Sequence, residues 1–175
     1  MLWLRAAFFF LLLPGTLAYL VPTWLGVRTG GDTPGSLRAL GAAFQLAGTC
    51  VLLWCVRDFA VRGRGTLAPV DPPKELVAAG LYRWVRNPMY VGVVTTLIGH
   101  ALVFGSAALW IYAAAVFVGF HLFVTLYEEP TLLERFGESY ARYRATVPRW
   151  IPRPPPQAPR SGARSEAQPS GDQRR

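Results

Sequence analysis

Between Ala107 and Tyr127 the chain carries no Lys, Arg, Asp or Glu, and three other stretches are almost as apolar: Ala6–Leu25, Leu37–Val56 and Met89–Phe104. A bilayer core of about 30 Å takes about 20 residues of apolar helix. A segment inside it must satisfy its own backbone hydrogen bonds, so runs of this kind leave the chain little choice but helices. Composition agrees, with 52% hydrophobic and 16% charged residues against about a quarter charged in soluble domains. The predicted fold class is all-α, a polytopic membrane protein with about four transmembrane helices.

The four segments differ in kind. Pro14 and Pro22 predict a kink in the first. A signal peptide is the rival reading there, since Arg5 precedes the apolar core and Thr16-Leu17-Ala18 resembles a cleavage site. The apolar run continues through Tyr19, Leu20 and Val21, so the segment is expected to be retained. Met89–Phe104 is short and is expected to begin earlier, in the polar residues before it. Only Gly105-Ser106 separates it from the fourth segment, which predicts a tight antiparallel hairpin.

Basic residues set the orientation. Six lie between Arg57 and Arg86 and nine follow Tyr127, whereas the Gly105-Ser106 turn has none. The expectation is therefore a multi-pass protein of a bacterial inner membrane, with both termini and the active site on the cytosolic side. The net charge of +8 then reflects topology and attraction to an anionic leaflet. No folded basic face with stacking aromatics stands out, so nucleic acid is not an expected partner.

The chain divides into residues 1–56, two N-terminal spans; 57–153, a core with a cytosolic loop, the helical hairpin and a C-terminal helix; and 154–175, a basic Pro-rich tail expected to be disordered. In the loop, Pro69, Pro72 and Pro73 break any long helix, and a short helix is predicted from Lys74 to Ala79. Gly63-x-Gly65-x-x-Ala68 resembles a dinucleotide fingerprint but lacks the strand that would give it meaning. After the fourth span, Leu132, Leu133, Phe136, Tyr140, Tyr143 and Val147 recur at helical spacing, predicting one amphipathic helix stopped by Pro148. Cys50 and Cys55 read as packing residues, and no metal is expected. His100 and His121 are each either functional or hydrogen-bonded packing residues, the latter being preferred.

Two polar clusters should meet at the cytosolic surface because the hairpin makes spans three and four neighbours. One is "GLYRWVRNPMYVG" at Gly80–Gly92 and the other is "YEEP" at Tyr127–Pro130. Pro88 pushes Asn87 out of helical geometry, leaving backbone groups without helical partners, which points to a cavity-lining loop. Glu128 and Glu129 oppose the dipole of the helix they end, so they need arginines, a new helix at Pro130, or a cationic ligand. Ion pairing to Arg83 or Arg86 is the plain structural reading.

These two clusters, with "FGESYARYRATVP" following at Phe136–Pro148, resemble the isoprenylcysteine carboxyl methyltransferase family and its phospholipid methyltransferase relatives over Lys74–Arg153. The resemblance implies a membrane methyltransferase that binds S-adenosylmethionine without a Rossmann domain. It implies cofactor contacts from Lys74, Glu75, Leu76, Val77, Tyr82, Asn87, Pro88, Met89, Tyr90 and Glu128. Arg83 and Arg86 would position the loop or meet the cofactor carboxylate, and Tyr90, Arg86 and Glu129 are the catalytic candidates. The expected partners are the bilayer and an amphipathic small-molecule or prenylated acceptor, carboxylate or amine. The chain has Asn87 where many members have His, and Val124 where eukaryotic prenylcysteine enzymes carry an Arg. Alternative readings are an NADPH-dependent membrane reductase of sterol-reductase type and a non-catalytic membrane scaffold.

Overall fold

A computed structural model describes residues 11–62 and 79–154. The Lys74–Ala79 helix, the Gly63-x-Gly65 sequence and most of the tail lie outside the described residues. Among the described residues every regular element is helical. They are α1 (Val21–Thr29), α2 (Gly35–Arg62), α3 (Pro88–Phe104), α4 (Ala107–Phe123), α5 (Glu129–Phe136) and α6 (Glu138–Thr146).

Two wide π-helical stretches interrupt the α pattern, and each has a proline close by. Leu11–Leu20 contains Pro14 and runs into α1, where Pro22 sits in the first turn. Val124–Glu128 joins α4 to α5 without a break, with Pro130 just beyond it. A proline in a helix removes one backbone donor and crowds the carbonyl four residues back; a wider turn relieves both. The irregularity expected of the first segment thus takes the form of a π-helical stretch.

Among the described residues two helices are long and apolar enough to cross a membrane, Gly35–Asp58 and Ala107–Phe136. The helix between them, Pro88–Phe104, has 17 residues and reaches about 25 Å at 1.5 Å per residue. Leu46, Leu53, Ile111, Val118, Leu122 and Leu126 are all exposed. An apolar surface of that extent marks a membrane protein rather than a soluble bundle.

The hairpin forms as predicted. Gly105 takes the left-handed conformation (φ 59°) that ends α3, and Ser106 turns into α4. The α1–α2 connection lies against it, with Gly31 N–H donating to Phe104 O at 2.9 Å and Thr29 Oγ1 2.6 Å from Ser106 Oγ. That end of the bundle is therefore closed by hydrogen bonds between its two turns.

The tightest packing is between α2 and α3, along a seam of four glycines. A methyl group added at Gly48 would fall 2.6 Å from Gly92 O, and one at Gly99 would fall 2.7 Å from Gly41 O. Gly41 and Gly48 are seven residues apart in α2, and Gly92 and Gly99 seven apart in α3, so they recur on one face of each helix. Small residues let backbones approach where lipid offers no hydrophobic drive for association. Ala18, Leu52, Val93, Leu97 and Ala113 then fill the core beside the seam, with Met89 and Phe120 packed against them.

The C-terminal region departs from the predicted single amphipathic helix. Gly137 (φ 53°) separates α5 from α6, and α6 ends at Thr146, ahead of Pro148. Two short helices can turn Tyr140 inward, and it is 2% exposed.

A side chain at Gly48 has to displace backbone, so Gly48→Ala should destabilise the protein by about 1–3 kcal/mol. Gly119 is open on all sides, and Gly119→Ala should be neutral or slightly stabilising by helix propensity. Thermal unfolding of the two variants in one detergent measures the contrast.

Candidate functional site

The site is built where α3 begins and α4 ends. A single turn of 3₁₀ helix, Gly80–Arg83, leads into it. Gly80 rests on the buried carboxylate of Asp58, which accepts a hydrogen bond from Trp54 Nε1 at 3.1 Å. Tyr82 is buried, shares a hydrogen bond with Cys55, and its carbonyl accepts from Tyr143 Oη at 2.7 Å. Burial pushes the Tyr82, Tyr140 and Tyr143 hydroxyls up from their ordinary pKa, so all three are protonated at neutral pH. Arg83, by contrast, is exposed.

The residues before Pro88 find their backbone partners in the segment after α6. Arg86 N–H donates to Pro148 O at 2.8 Å, and Arg153 N–H donates to Trp84 O at 2.9 Å. Asn87, 7% exposed, donates from Nδ2 to Arg149 O at 3.2 Å. The irregular backbone that Pro88 imposes is thus satisfied inside the protein, as burial requires.

The two adjacent glutamates have different surroundings. Glu129 is 6% exposed and is gripped by Arg149, whose Nε and Nη2 donate to its two oxygens at 2.7 and 2.9 Å. That fork is the strongest geometry an arginine can offer a carboxylate. Arg86 Nη1 lies 2.9 Å from the same Glu129 Oε1, yet neither its Nη1 nor its Nε hydrogens point at an acceptor. The contact is ionic rather than an aligned hydrogen bond, so Arg86 keeps donor capacity while 90% buried. Arg86 also hydrogen-bonds Tyr140.

Glu128 lies at the end of the π-helical stretch and is only half-buried. It accepts a hydrogen bond from Tyr90 Oη at 3.0 Å, and the Tyr90 ring stacks on Phe120 with centroids 4.5 Å apart. The ion pair expected between the glutamates and Arg83 or Arg86 therefore exists for Glu129 with Arg86. Glu128 does not share in it.

Of the sequence-predicted residues, Tyr82, Arg86, Asn87, Pro88, Met89, Tyr90, Glu128 and Glu129 come together at this end of the hairpin. Met89 faces the core cluster and Pro88 is buried beneath the loop. Lys74, Glu75, Leu76 and Val77 lie outside the described residues. Val124 is buried in the π-helical stretch. Both histidines are tied into packing, His100 to Thr96 O and Thr23 Oγ1, and His121 as acceptor from Trp150 Nε1 at 3.2 Å. Sequence reading missed Arg149 and Trp150 as partners and took Tyr140 and Tyr143 for one apolar face. The available signal was the basic-aromatic pair directly after Pro148.

Removing the charge of Glu129 strands a buried arginine, so Glu129→Gln should cost about 3–5 kcal/mol. Glu128→Gln removes a half-buried group with a neutral partner and should cost about 1 kcal/mol. Chemical denaturation of the two variants in mixed micelles checks the order.

Residues 37–139 match the sequence model of the phospholipid methyltransferase family. Among curated proteins the chain is similar to the protein-S-isoprenylcysteine O-methyltransferase of Schizosaccharomyces pombe, 35% identical over 77 residues that cover 44% of this chain and 33% of that protein. It is similarly related to the enzyme of the same name from Homo sapiens, 34% identical over 77 residues, 44% of this chain and 27% of that one. The match thus spans a third or less of these relatives' length. With the family match covering more than half of the sequence, including nearly all of both spanning-length helices and the two polar clusters, the chain belongs to the phospholipid methyltransferase family.

Proposed function

We propose that this protein is an integral membrane methyltransferase that uses S-adenosylmethionine and acts on a lipid-like or prenylated acceptor bearing a carboxylate or amine. The observation that carries the reading is the division of labour between the two glutamates. Glu129 is neutralised by arginines, while Glu128, among the described residues, meets one neutral hydrogen-bond donor. A half-buried carboxylate beside a buried guanidinium with unspent donors suits a zwitterion whose third charge is a cation.

The donor set fits the cofactor on that ground. Glu128, with Tyr90, would hold an ammonium or ribose hydroxyls, and Arg86 would meet the carboxylate. Tyr82, Asn87, Pro88 and Met89 would form the wall, joined by Lys74, Glu75, Leu76 and Val77. When bound, the sulfonium supplies an activated methyl group for in-line displacement. The protein's own task is then alignment and exclusion of water. A carboxylate acceptor arrives ionised and needs no base. An amine must lose a proton, and Glu128 with Tyr90 is the pair able to take it, since Glu129 is fully engaged by Arg149. Glu129 accordingly positions the loop rather than acting as a base.

In the membrane, four helical passes are formed by the N-terminal helix, α2, α3 and the α4–α5 helix. The site faces the cytosol, where the basic residues gather. The apolar acceptor enters from the bilayer and the soluble cofactor from water. The two C-terminal helices lie at that interface.

The charged contact at Glu128 is worth about 1.5–3 kcal/mol. Glu128→Gln should therefore weaken S-adenosylmethionine binding by about 10- to 100-fold, read by calorimetry on detergent-purified protein with S-adenosylhomocysteine alongside. Folded wild-type protein that binds neither ligand would sink the reading, and NADPH binding in the same cell would point to the reductase alternative.

A further inference from the structure

The segment 147–153 crosses back over the mouth of the hairpin and holds both of its sides. On one side its backbone bonds the loop before α3, through Pro148 O with Arg86 N–H (2.8 Å) and Arg153 N–H with Trp84 O (2.9 Å). On the other side it grips the α4–α5 helix. Arg149 takes Glu129 with both arms of its fork, and Trp150 donates to His121 Nδ1 at 3.2 Å, its ring edge-on to Phe117 at 5.2 Å. Arg149 alone touches both sides through one residue, because its carbonyl also accepts from Asn87 Nδ2 at 3.2 Å.

We propose that residues 147–153 form a clamp that sets the Arg86–Asn87 loop against the Glu128–Glu129 turn, and that Arg149 is a positioning residue for methyl transfer. The assignment rests on the methyltransferase reading above. It also lies beyond residue 139, where the family match stops.

Arg149 controls the alignment of the loop. It occupies the aligned donor positions on Glu129, which leaves the Arg86 Nε and Nη1 hydrogens without an acceptor. Without Arg149, a buried carboxylate demands aligned donors from the one arginine left. Arg86 then turns its Nη1 onto Glu129, leaves Tyr140, and draws the loop with it. Asn87 is bonded to the backbone of residue 149 and follows any movement of the clamp. Glu128 and Tyr90 stay in place on their own hydrogen bond and stacking contact. The cofactor's cationic end is therefore still held while its other end is misplaced.

The test uses the full chain in detergent micelles with Arg149→Gln, Arg149→Lys and Trp150→Phe. Three quantities are read, namely hydrogen exchange of peptides covering 84–87 and 153, S-adenosylmethionine affinity, and kcat with KM. Arg149→Gln should lower kcat, read at saturating cofactor, by about 10- to 100-fold, as a misplacement near 1 Å does, and the displaced Arg86 should weaken cofactor binding as well. Exchange at the two peptides should rise by about tenfold or more as the local opening becomes easier. Arg149→Lys, which keeps charge but not the fork, should recover part of the rate. Trp150→Phe removes only the bond to His121 and should show the same pattern more weakly, which keeps the test alive should Arg149→Gln not fold.

Unchanged exchange at 84–87 in folded Arg149→Gln overturns the clamp. Faster exchange with wild-type kcat at saturating cofactor overturns the positioning role. Wild-type protein that binds no cofactor fails the methyltransferase reading and removes the positioning role with it, leaving any accelerated exchange to mark a purely structural strap.

Discussion

Two backbones, those of α2 and α3, lie so close that a single methyl group on Gly41, Gly48 or Gly99 would collide with a neighbouring main-chain carbonyl. Everything at the end where α3 begins follows from that approach. Because the seam holds α2 against α3 along their length, the end of α2 brings Asp58 under Gly80 and Cys55 against Tyr82. The N-terminal half of the chain thereby becomes part of the platform on which the loop before Pro88 rests. In lipid, close packing of this kind replaces the hydrophobic drive that would hold helices together in water.

On that platform the neighbouring glutamates are separated by local helix geometry. The π-helical stretch Val124–Glu128 widens the turn just before Pro130. Glu129 is left buried, where its charge has to be answered by Arg86 and Arg149. Glu128, one residue earlier, meets among the described residues a tyrosine hydroxyl and stays half-buried. Identical side chains at adjacent positions so acquire opposite roles, one as an internal fastening and one as a charge open to a ligand. Burial without a partner would be prohibitive for either. The structure resolves this by committing two arginines to one glutamate and partial exposure to the other.

Much of this was legible in the residues. The long uncharged run Ala107–Tyr127, the Gly105-Ser106 turn and the proline at 88 are each local signals, and the hairpin they imply is present. The meeting of Tyr90 with Glu128 also follows from chain proximity, since a two-residue turn leaves antiparallel neighbours no other level at which to face each other. The single helix expected over Leu132–Val147 is broken in two at Gly137. Helical spacing of Leu132, Phe136, Tyr140 and Tyr143 is equally compatible with a helix broken at Gly137, and periodicity is blind to a glycine that adopts positive φ.

Arg149 shows the limit most clearly. In sequence it is one arginine among nine that follow Tyr127, set apart only by the proline and tryptophan on either side of it. Its role depends on a chain reversal after α6 that brings residues 147–153 back to residues 84–87, a separation no local rule spans. By itself the sequence determined the helical class, the hairpin and the placement of acids beside a proline-broken loop, because lipid solvation, turn chemistry and chain proximity act over a few residues. Only the tertiary structure decided which glutamate is spent and which is available, because that depends on burial and on aligned donors contributed from segments far apart in the chain.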